Sequence, residues 1–226
     1  LGPLRHRFTA LERAKEQGIG HYFVPRYTRV VDTAESKDNI NKAYNLISTS
    51  KVRNEMIIDD VITCVARKQT PVILTRFKEH AKFLHDALKE KADHVFLLYG
   101  DNSDKENAEI RVKLKQIPEN ESLILVATGQ KIGEGFDFPR LDVLMLAAPV
   151  SFEGRLEQYV GRLNRDYVGK EAVYVYDYID SHVRYFDKMY AKRLRTYRKM
   201  GFSIWTQELQ PKQIINAIFD SVNYTE

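Results

Sequence analysis

The sequence contains a single cysteine, Cys64, among its 226 residues. One cysteine excludes an intramolecular disulfide and fits a reducing compartment, so we expect a cytoplasmic protein. No apolar run approaches the ~20 residues that a membrane-spanning helix needs, and no signal peptide is visible, so we expect no membrane partner. The chain starts at Leu1 rather than Met, which we interpret as an excised piece of a longer chain or a processed product.

Several patterns that mark catalytic or metal sites are missing or weak. The phosphate-binding pattern Gly-x-x-x-x-Gly-Lys-Ser/Thr does not occur. His80 and His85 lie five apart, off a common helix face, so we expect no metal. The acidic run at residues 56–60 sits among apolar residues at helical spacing, which predicts a core-facing helix with solvated aspartates. Asp177 and Asp180 follow a predicted strand, where a turn or helix cap is favoured over a metal site.

The composition is that of one globular domain. It is 43% hydrophobic, with 13 Tyr and 11 Phe, which excludes a disordered chain. The formal net charge is +4. This mild basicity permits nucleic-acid binding without requiring it.

Short apolar runs alternate with helical patterns along the chain. Extended segments are predicted at residues 21–31, 71–75, 95–99, 123–127, 141–147 and 172–176. Helices are predicted at residues 37–49, 51–68, 78–91, 104–117, 152–165 and 181–200. Continuous apolar strands, each followed by a helix, are typical of a parallel sheet covered on both faces. The predicted fold is therefore α/β, a doubly wound, mostly parallel sheet at residues 70–180, with extensions at 1–69 and 181–226.

The ends of the predicted strands are the places to look for a ligand site, because ligands of such sheets bind at the carboxyl edge. A glycine-rich loop follows the 123–127 strand. Its three glycines, Gly129, Gly133 and Gly135, would let main-chain amides approach an anion, and Asp137 could accept hydrogen bonds from a ribose hydroxyl. Taken alone, glycines after a strand more often simply form a turn.

Residues 158–165, Gln-Tyr-Val-Gly-Arg-Leu-Asn-Arg, form a helix pattern with two different faces. One face is apolar and carries Leu156, Tyr159, Val160 and Leu163. The other face carries Gln158, Arg162 and Arg165. Two guanidinium groups beside an amide are suited to phosphate, although a surface helix with solvated arginines has the same pattern.

Three segments together resemble the second RecA-like domain of superfamily 2 helicases, closest to restriction-type and repair-type DNA helicases. The strand at residues 71–75 and its helix resemble motif IV. Ala127 and Thr128 through residues 137–139 resemble motif V, in a loop about one residue longer than in the best-known RNA helicases. Residues 158–165 match the motif VI pattern Gln-x-x-Gly-Arg-x-x-Arg. The segments occur in the family's order, over residues 70–180.

The resemblance implies a function and a set of site residues. ATP would lie between two RecA-like domains, and ATP and Mg²⁺ would be held mainly by a first domain of the same parent chain. The implied arginine fingers are Arg162 and Arg165. The implied nucleotide contacts are Gln158, Gly135 and Asp137. The implied contacts to the nucleic-acid backbone are Thr75, Arg76, Gly100 and Thr128. The partner would be DNA, with RNA possible, and the isolated chain is expected to be inactive as an ATPase.

Two alternatives stay open. The chain could be a non-enzymatic RecA-like module that binds nucleic acid or a partner. A dinucleotide-binding enzyme is weaker, because the glycine order does not match Gly-x-Gly-x-x-Gly. The last predicted helix has a basic stripe opposite an apolar one. The basic stripe is either a solvated face or a second contact with the nucleic-acid backbone. That stripe consists of Arg184, Lys188, Lys192, Arg195 and Lys199.

Overall fold

The computed structural model describes residues 18–100, 103–129, 137–150, 153–165 and 167–205. These residues form seven strands and seven helices. The strands are β1 (Gly20–Tyr27), β2 (Pro71–Thr75), β3 (His94–Leu98), β4 (Leu123–Thr128), β5 (Val143–Leu146), β6 (Ala172–Ile179) and β7 (Ser203–Ile204). The helices are α1 (Ala34–Asp38), α2 (Ile40–Thr49), α3 (Lys51–Ala66), α4 (Lys78–Leu88), α5 (Asp104–Gln116), α6 (Glu153–Leu163) and α7 (Arg184–Lys199).

The seven strands form one sheet in the order β3-β4-β2-β5-β6-β1-β7, with every pair parallel. This architecture confirms the predicted α/β class. The strands β2, β4 and β5 are buried along their whole length. A strand covered by helices on both faces has no solvent side, so its sequence is a continuous apolar run rather than an alternating one.

The first and last described strands belong to the same sheet as the central ones. β1 pairs with β6 over eight residues, from Gly20 opposite Ala172 to Tyr27 opposite Ile179. β7 then adds to the free side of β1. The segment before residue 70 therefore contributes a strand as well as helices.

Three buried clusters hold the layers together. Alternate residues along a strand point to opposite faces, so Leu74 and Ile73 belong to different clusters. On one face the strands pack against helices such as α6 and α7, and on the other against α3 and α4. A third cluster, at the carboxyl ends of the strands, includes Tyr44 and Ile47 of α2 and Phe186 of α7.

The acidic run at residues 56–60 lies within α3, as predicted. The expectation of two solvated aspartates was wrong for one of them. Asp59 is exposed, but Asp60 is buried and accepts hydrogen bonds from Arg26 Nε at 2.8 Å and Tyr178 Oη at 3.1 Å. A buried carboxylate needs such partners, and they come from β1 and β6, far away in sequence.

Asp177 and Asp180 were predicted to form a strand-end turn or a helix cap, which is wrong for Asp177 and correct for Asp180, whose carbonyl accepts a turn hydrogen bond from the main-chain N–H of Val183 at 3.0 Å. β6 continues through Asp177 to Ile179, and both carboxylates are fully buried. Asp177 accepts two hydrogen bonds from the guanidinium of Arg193, at 2.7 and 2.9 Å. Asp180 accepts one from Arg53 Nε at 2.9 Å. The two ion pairs tie α7 and α3 to the end of β6.

Among the described residues, no helix combines the length and apolar character that crossing a bilayer would require.

Candidate functional site

The carboxyl ends of the parallel strands lie at one edge of the sheet. Thr75 ends β2 and is paired in register with Thr128, which ends β4. Gly100 follows β3, the strand on the other side of β4. The structure therefore brings the residues expected to contact nucleic acid into one row across three adjacent strands.

Thr75 is buried, and its hydroxyl lies 2.7 Å from Nδ1 of His80. Nε2 of His80 lies 3.0 Å from Oδ1 of Asn54, whose amide nitrogen donates to the carbonyl of Ser48. Burial and the charge of Arg53 lower the pKa of His80 to about 3, so its imidazole is neutral. Nε2 then donates to Asn54, and Nδ1 accepts from Thr75. Because that hydroxyl is occupied, a contact of Thr75 with nucleic acid would involve its main chain.

Arg76 is exposed at the same edge and is held in place by α2. Its guanidinium carbon lies 4.4 Å from the ring centroid of Tyr44, which is a cation–π geometry. One of its terminal nitrogens also lies 3.4 Å from Oδ1 of Asn41. The charge of Arg76 therefore faces solvent from a fixed position.

Gly100 and Thr128 differ in accessibility. Gly100 is exposed, and a Cβ placed there would meet no atom within 4 Å. Thr128 is 8% exposed. The next residue, Gly129, accepts a hydrogen bond from Tyr159 Oη at 3.0 Å, and a Cβ at Gly129 would lie 2.6 Å from that oxygen. Glycine is required here by this close approach of α6. The predicted nucleotide contact Gly135 lies outside the described residues, as does Gly133.

Helix α6 has the buried face that its sequence predicts, but it ends at Leu163, so Arg165 follows the helix instead of lying on its polar face. Leu156, Tyr159, Val160 and Leu163 are all buried. Gln158 and Arg165 are exposed, and Arg162 is partly exposed. The Nε atom of Arg165 lies 3.3 Å from Oδ1 of Asp137. A predicted arginine finger and a predicted nucleotide contact, 28 residues apart in sequence, therefore meet at the surface.

Lys170 explains why these two segments meet, and the sequence analysis did not find it. Its ammonium group donates to the carbonyl of Leu163 at 2.8 Å, to that of Arg165 at 3.1 Å, and to that of Leu141 at 2.8 Å. It also donates to the carbonyl of Pro139. A lysine after the end of a helix is the signal that was available, because cations bind the unpaired carbonyls there.

The described residues contain no group of three or more His, Cys, Asp or Glu side chains arranged to hold a metal ion.

This parallel sheet, with helices on both faces and with Thr75, Arg76 and Thr128 at its carboxyl edge, has the fold of the RecA-like domains of superfamily 2 helicases and ATPases. It is similar to T4 UvsW, with a TM-score of 0.63 and 20% identity over 83% of this chain and 41% of that one. It is also similar to the Sulfolobus solfataricus SWI2/SNF2 ATPase core, with a TM-score of 0.56 and 13% identity over 80% of this chain and 47% of that one.

Curated relatives point in the same direction. The transcript termination protein A18 of Yaba-like disease virus is 28% identical over 172 residues, which are 71% of this chain and 35% of the relative. The putative helicase 161L of Invertebrate iridescent virus 6 is 33% identical over 118 residues, which are 51% of this chain and 22% of the relative. The chain thus spans about a third or less of the length of these two relatives. No protein-family model matches the chain. The fold and the relatives together confirm the resemblance to superfamily 2 helicases.

Proposed function

We propose that this chain is the second motor domain of an ATP-dependent nucleic-acid helicase or translocase. The observation that carries the proposal is the meeting of Arg165 with Asp137, one turn after Arg162, where the end of α6 lies beside the amino ends of β5, β6 and β1. Both side chains of the pair are about half exposed, at 47% and 55%. An exposed pair is weakly held, so either group is free to exchange its partner for a ligand.

The chemistry of this face fits a nucleoside triphosphate. Arg162 and Arg165 would act as arginine fingers, stabilising the negative charge that spreads over the γ-phosphate oxygens during phosphoryl transfer. Asp137 would accept a hydrogen bond from the ribose, and Gln158 and Gly135 would contact the nucleotide. A first RecA-like domain of the same parent chain would hold most of the ATP and the Mg²⁺, which neutralises phosphate charge when bound.

The row across β2, β4 and β3 is the proposed nucleic-acid path. Arg76 offers a fixed positive charge, and Gly100, Thr128 and the main chain of Thr75 offer close approach for a sugar–phosphate backbone. DNA is the proposed partner, because two structures with this fold are of DNA complexes. They are the Sulfolobus ATPase core with dsDNA and a restriction-modification enzyme, LlaBIII, bound to DNA. Residues 70–180 would form the motor domain proper, with 1–69 and 181–226 as its extensions.

The finger role is tested by arginine substitutions in the parent protein. Arg162→Ala and Arg165→Ala should each lower ATP turnover by ~10³-fold or more while ATP affinity changes little, because the contact strengthens in the transition state. Arg111→Ala, at an exposed arginine of α5, is the matched control and should turn over normally. Equal losses of affinity and turnover would assign the arginines to simple binding. The isolated chain should show no ATPase activity.

The nucleic-acid path is tested by titrating labelled DNA with the isolated chain at several salt concentrations. The logarithm of affinity should fall with the logarithm of salt by a slope of about 0.7–0.9 per phosphate neutralised. Arg76→Ala should reduce this slope by about one phosphate. Replacing Lys188, Lys192 and Arg195, which are all exposed on α7, tests the basic stripe separately. An unchanged slope in that triple variant would make the stripe a solvated face.

The non-enzymatic module is the alternative. DNA binding by the isolated chain, combined with a parent protein that neither hydrolyses ATP nor carries a phosphate-binding loop, would favour it.

A further inference from the structure

The loop that leads from β5 into α6 is held by side chains from three helices outside the motif segments. Each of these side chains is buried, and each donates to a different main-chain carbonyl of residues 147–150. The bonds run from Arg53 Nη1 to Ala147 at 2.9 Å, from Tyr44 Oη to Pro149 at 2.8 Å, and from Arg193 Nη1 to Val150 at 3.2 Å. The direction in which α6 leaves the sheet therefore depends on α2, α3 and α7.

Two of the three donors are anchored inside the protein. Arg53 and Arg193 also bind the buried carboxylates of Asp180 and Asp177. These ion pairs fix the two ends of the loop segment against the end of β6. A paired and hydrogen-bonded guanidinium without water around it has no alternative partner to move to.

Tyr44 differs from them, because its other contact is an exposed residue. The side chain is 5% exposed, its hydroxyl binds the carbonyl of Pro149, and its ring lies under the guanidinium of Arg76 at 4.4 Å. Burial raises the pKa of the phenol, although the nearby charge of Arg76 opposes this, so the hydroxyl stays protonated and keeps donating at neutral pH. One ring thus touches the proposed nucleic-acid path and the loop that begins the arginine helix.

We propose that Tyr44 is a positioning residue that links nucleic-acid binding at Arg76 to the placement of α6, the helix that carries Arg162 and leads into Arg165. The inference rests on the proposed function. A phosphate that draws the Arg76 guanidinium towards itself weakens the contact with the ring. The ring of Tyr44 then shifts, and the carbonyl of Pro149 shifts with it because the two are joined by a hydrogen bond. The bond from Arg53 to Ala147 keeps the end of β5 in place, while the bond from Arg193 to the carbonyl of Val150 acts as a pivot, so the change at Pro149 turns the start of α6.

Two substitutions separate the two contacts. Tyr44→Phe keeps the ring under Arg76 and removes the bond to Pro149. It should bind DNA within twofold of wild type, and the response of α6 should be lost. Tyr44→Leu removes both contacts, so affinity should also fall about two- to fivefold. Tyr178→Phe, which loses a buried hydroxyl bonded to Asp60 but keeps the ring whose centroid lies 5.6 Å from the guanidinium carbon of Arg53, is the matched control.

The measurement is amide hydrogen exchange of the 226-residue chain, with and without a saturating single-stranded thymidine oligonucleotide at low salt. In wild type and Tyr178→Phe, binding should change the exchange rates of residues 147–163 at least twofold. In Tyr44→Phe, saturated with the same oligonucleotide, these rates should not change. A purely structural role of Tyr44 would shift the rates equally with and without DNA.

Each outcome decides a different point. A wild-type response in Tyr44→Phe, or no response of α6 in wild type that binds DNA, would overturn the inference and leave the proposed function standing. No DNA binding by wild type at low salt would overturn the proposed nucleic-acid path and the inference together. If Tyr44→Phe does not fold, Arg76→Ala takes its place, because Arg76 is exposed. When the Arg76→Ala variant is saturated with DNA through its remaining contacts, the exchange rates of residues 147–163 should not change. A change as large as in wild type would refute the link between Arg76 and α6.

Discussion

His80 makes the stability of this protein depend on pH in a way that one substitution can isolate. The ring is 4% exposed, between Thr75 and Asn54, and its pKa is lowered to about 3. In the unfolded chain a histidine titrates near pH ~6.5. Between these two values the unfolded chain binds a proton that the native protein does not bind. The stability that His80 contributes is therefore complete above pH ~6.5 and is lost as the pH falls towards 3.

The size of the effect follows from the shift. Each pH unit inside this window costs ~1.4 kcal/mol, so the loss from pH 7 to pH 5 is about 2 kcal/mol. Asp142 opposes it, because burial raises the pKa of this carboxyl to about 6. Below pH 6 the native protein holds a proton there that the unfolded chain lacks, so this group adds about 1 kcal/mol over the same interval. The two groups together leave the wild type with a small net loss.

His80→Gln removes the larger of the two effects and keeps a neutral hydrogen-bonding side chain. The difference in unfolding free energy between wild type and His80→Gln should shrink by about 2 kcal/mol from pH 7 to pH 5. Urea unfolding followed by the fluorescence of the single tryptophan, Trp205, which packs against Tyr22 and Tyr174, gives this difference. His85→Gln, at a partly exposed position of the same helix, is the control. A difference that stays constant with pH would refute a buried, neutral His80.

Three further outcomes are expected. Arg193→Met should lower the unfolding free energy by about 3–5 kcal/mol in urea titrations, because it leaves the carboxylate of Asp177 buried without its partner; a loss below 1 kcal/mol would contradict this. Gly129→Ala should cost about 1–3 kcal/mol in wild type and much less in a Tyr159→Phe background, since the clash is with the phenol oxygen; equal costs would exclude that clash. Arg165→Lys should lower ATP turnover of the parent protein as severely as Arg165→Ala, because lysine lacks the planar fork, and wild-type turnover would rule out a finger role.

The sequence predicted the layers of the fold well because the central strands are buried on both faces. The segment Pro71–Thr75, for example, is apolar up to the threonine that ends it. The end of β6 was misplaced because Asp177 interrupts its apolar run. The arginine that neutralises this aspartate lies 16 residues later. A strand boundary that depends on a distant ion pair cannot be read from a local window of sequence.

For the candidate site, periodicity alone predicted which face of α6 is buried, since that depends on local spacing. It did not predict Lys170 or Tyr44 as anchors of the site. A lysine after a helix suggests bonds to the last carbonyls of that helix, but nothing in the sequence marks the carbonyls of Leu141 and Pro149 as further partners. Only the folded chain shows which carbonyls lie within reach.

The pairing of β1 with β6 also sets the order in which the protein can be completed during its synthesis. Paired residues of the two strands lie 152 residues apart in the chain, as Gly20 and Ala172 do. At roughly 5–20 residues per second, a ribosome needs about 8–30 s to make the intervening chain. Throughout this time β1 has neither of its two neighbours in the sheet. A nascent chain cut before Ala172 keeps an unpaired strand with open hydrogen-bonding groups, and such a strand invites pairing with other chains.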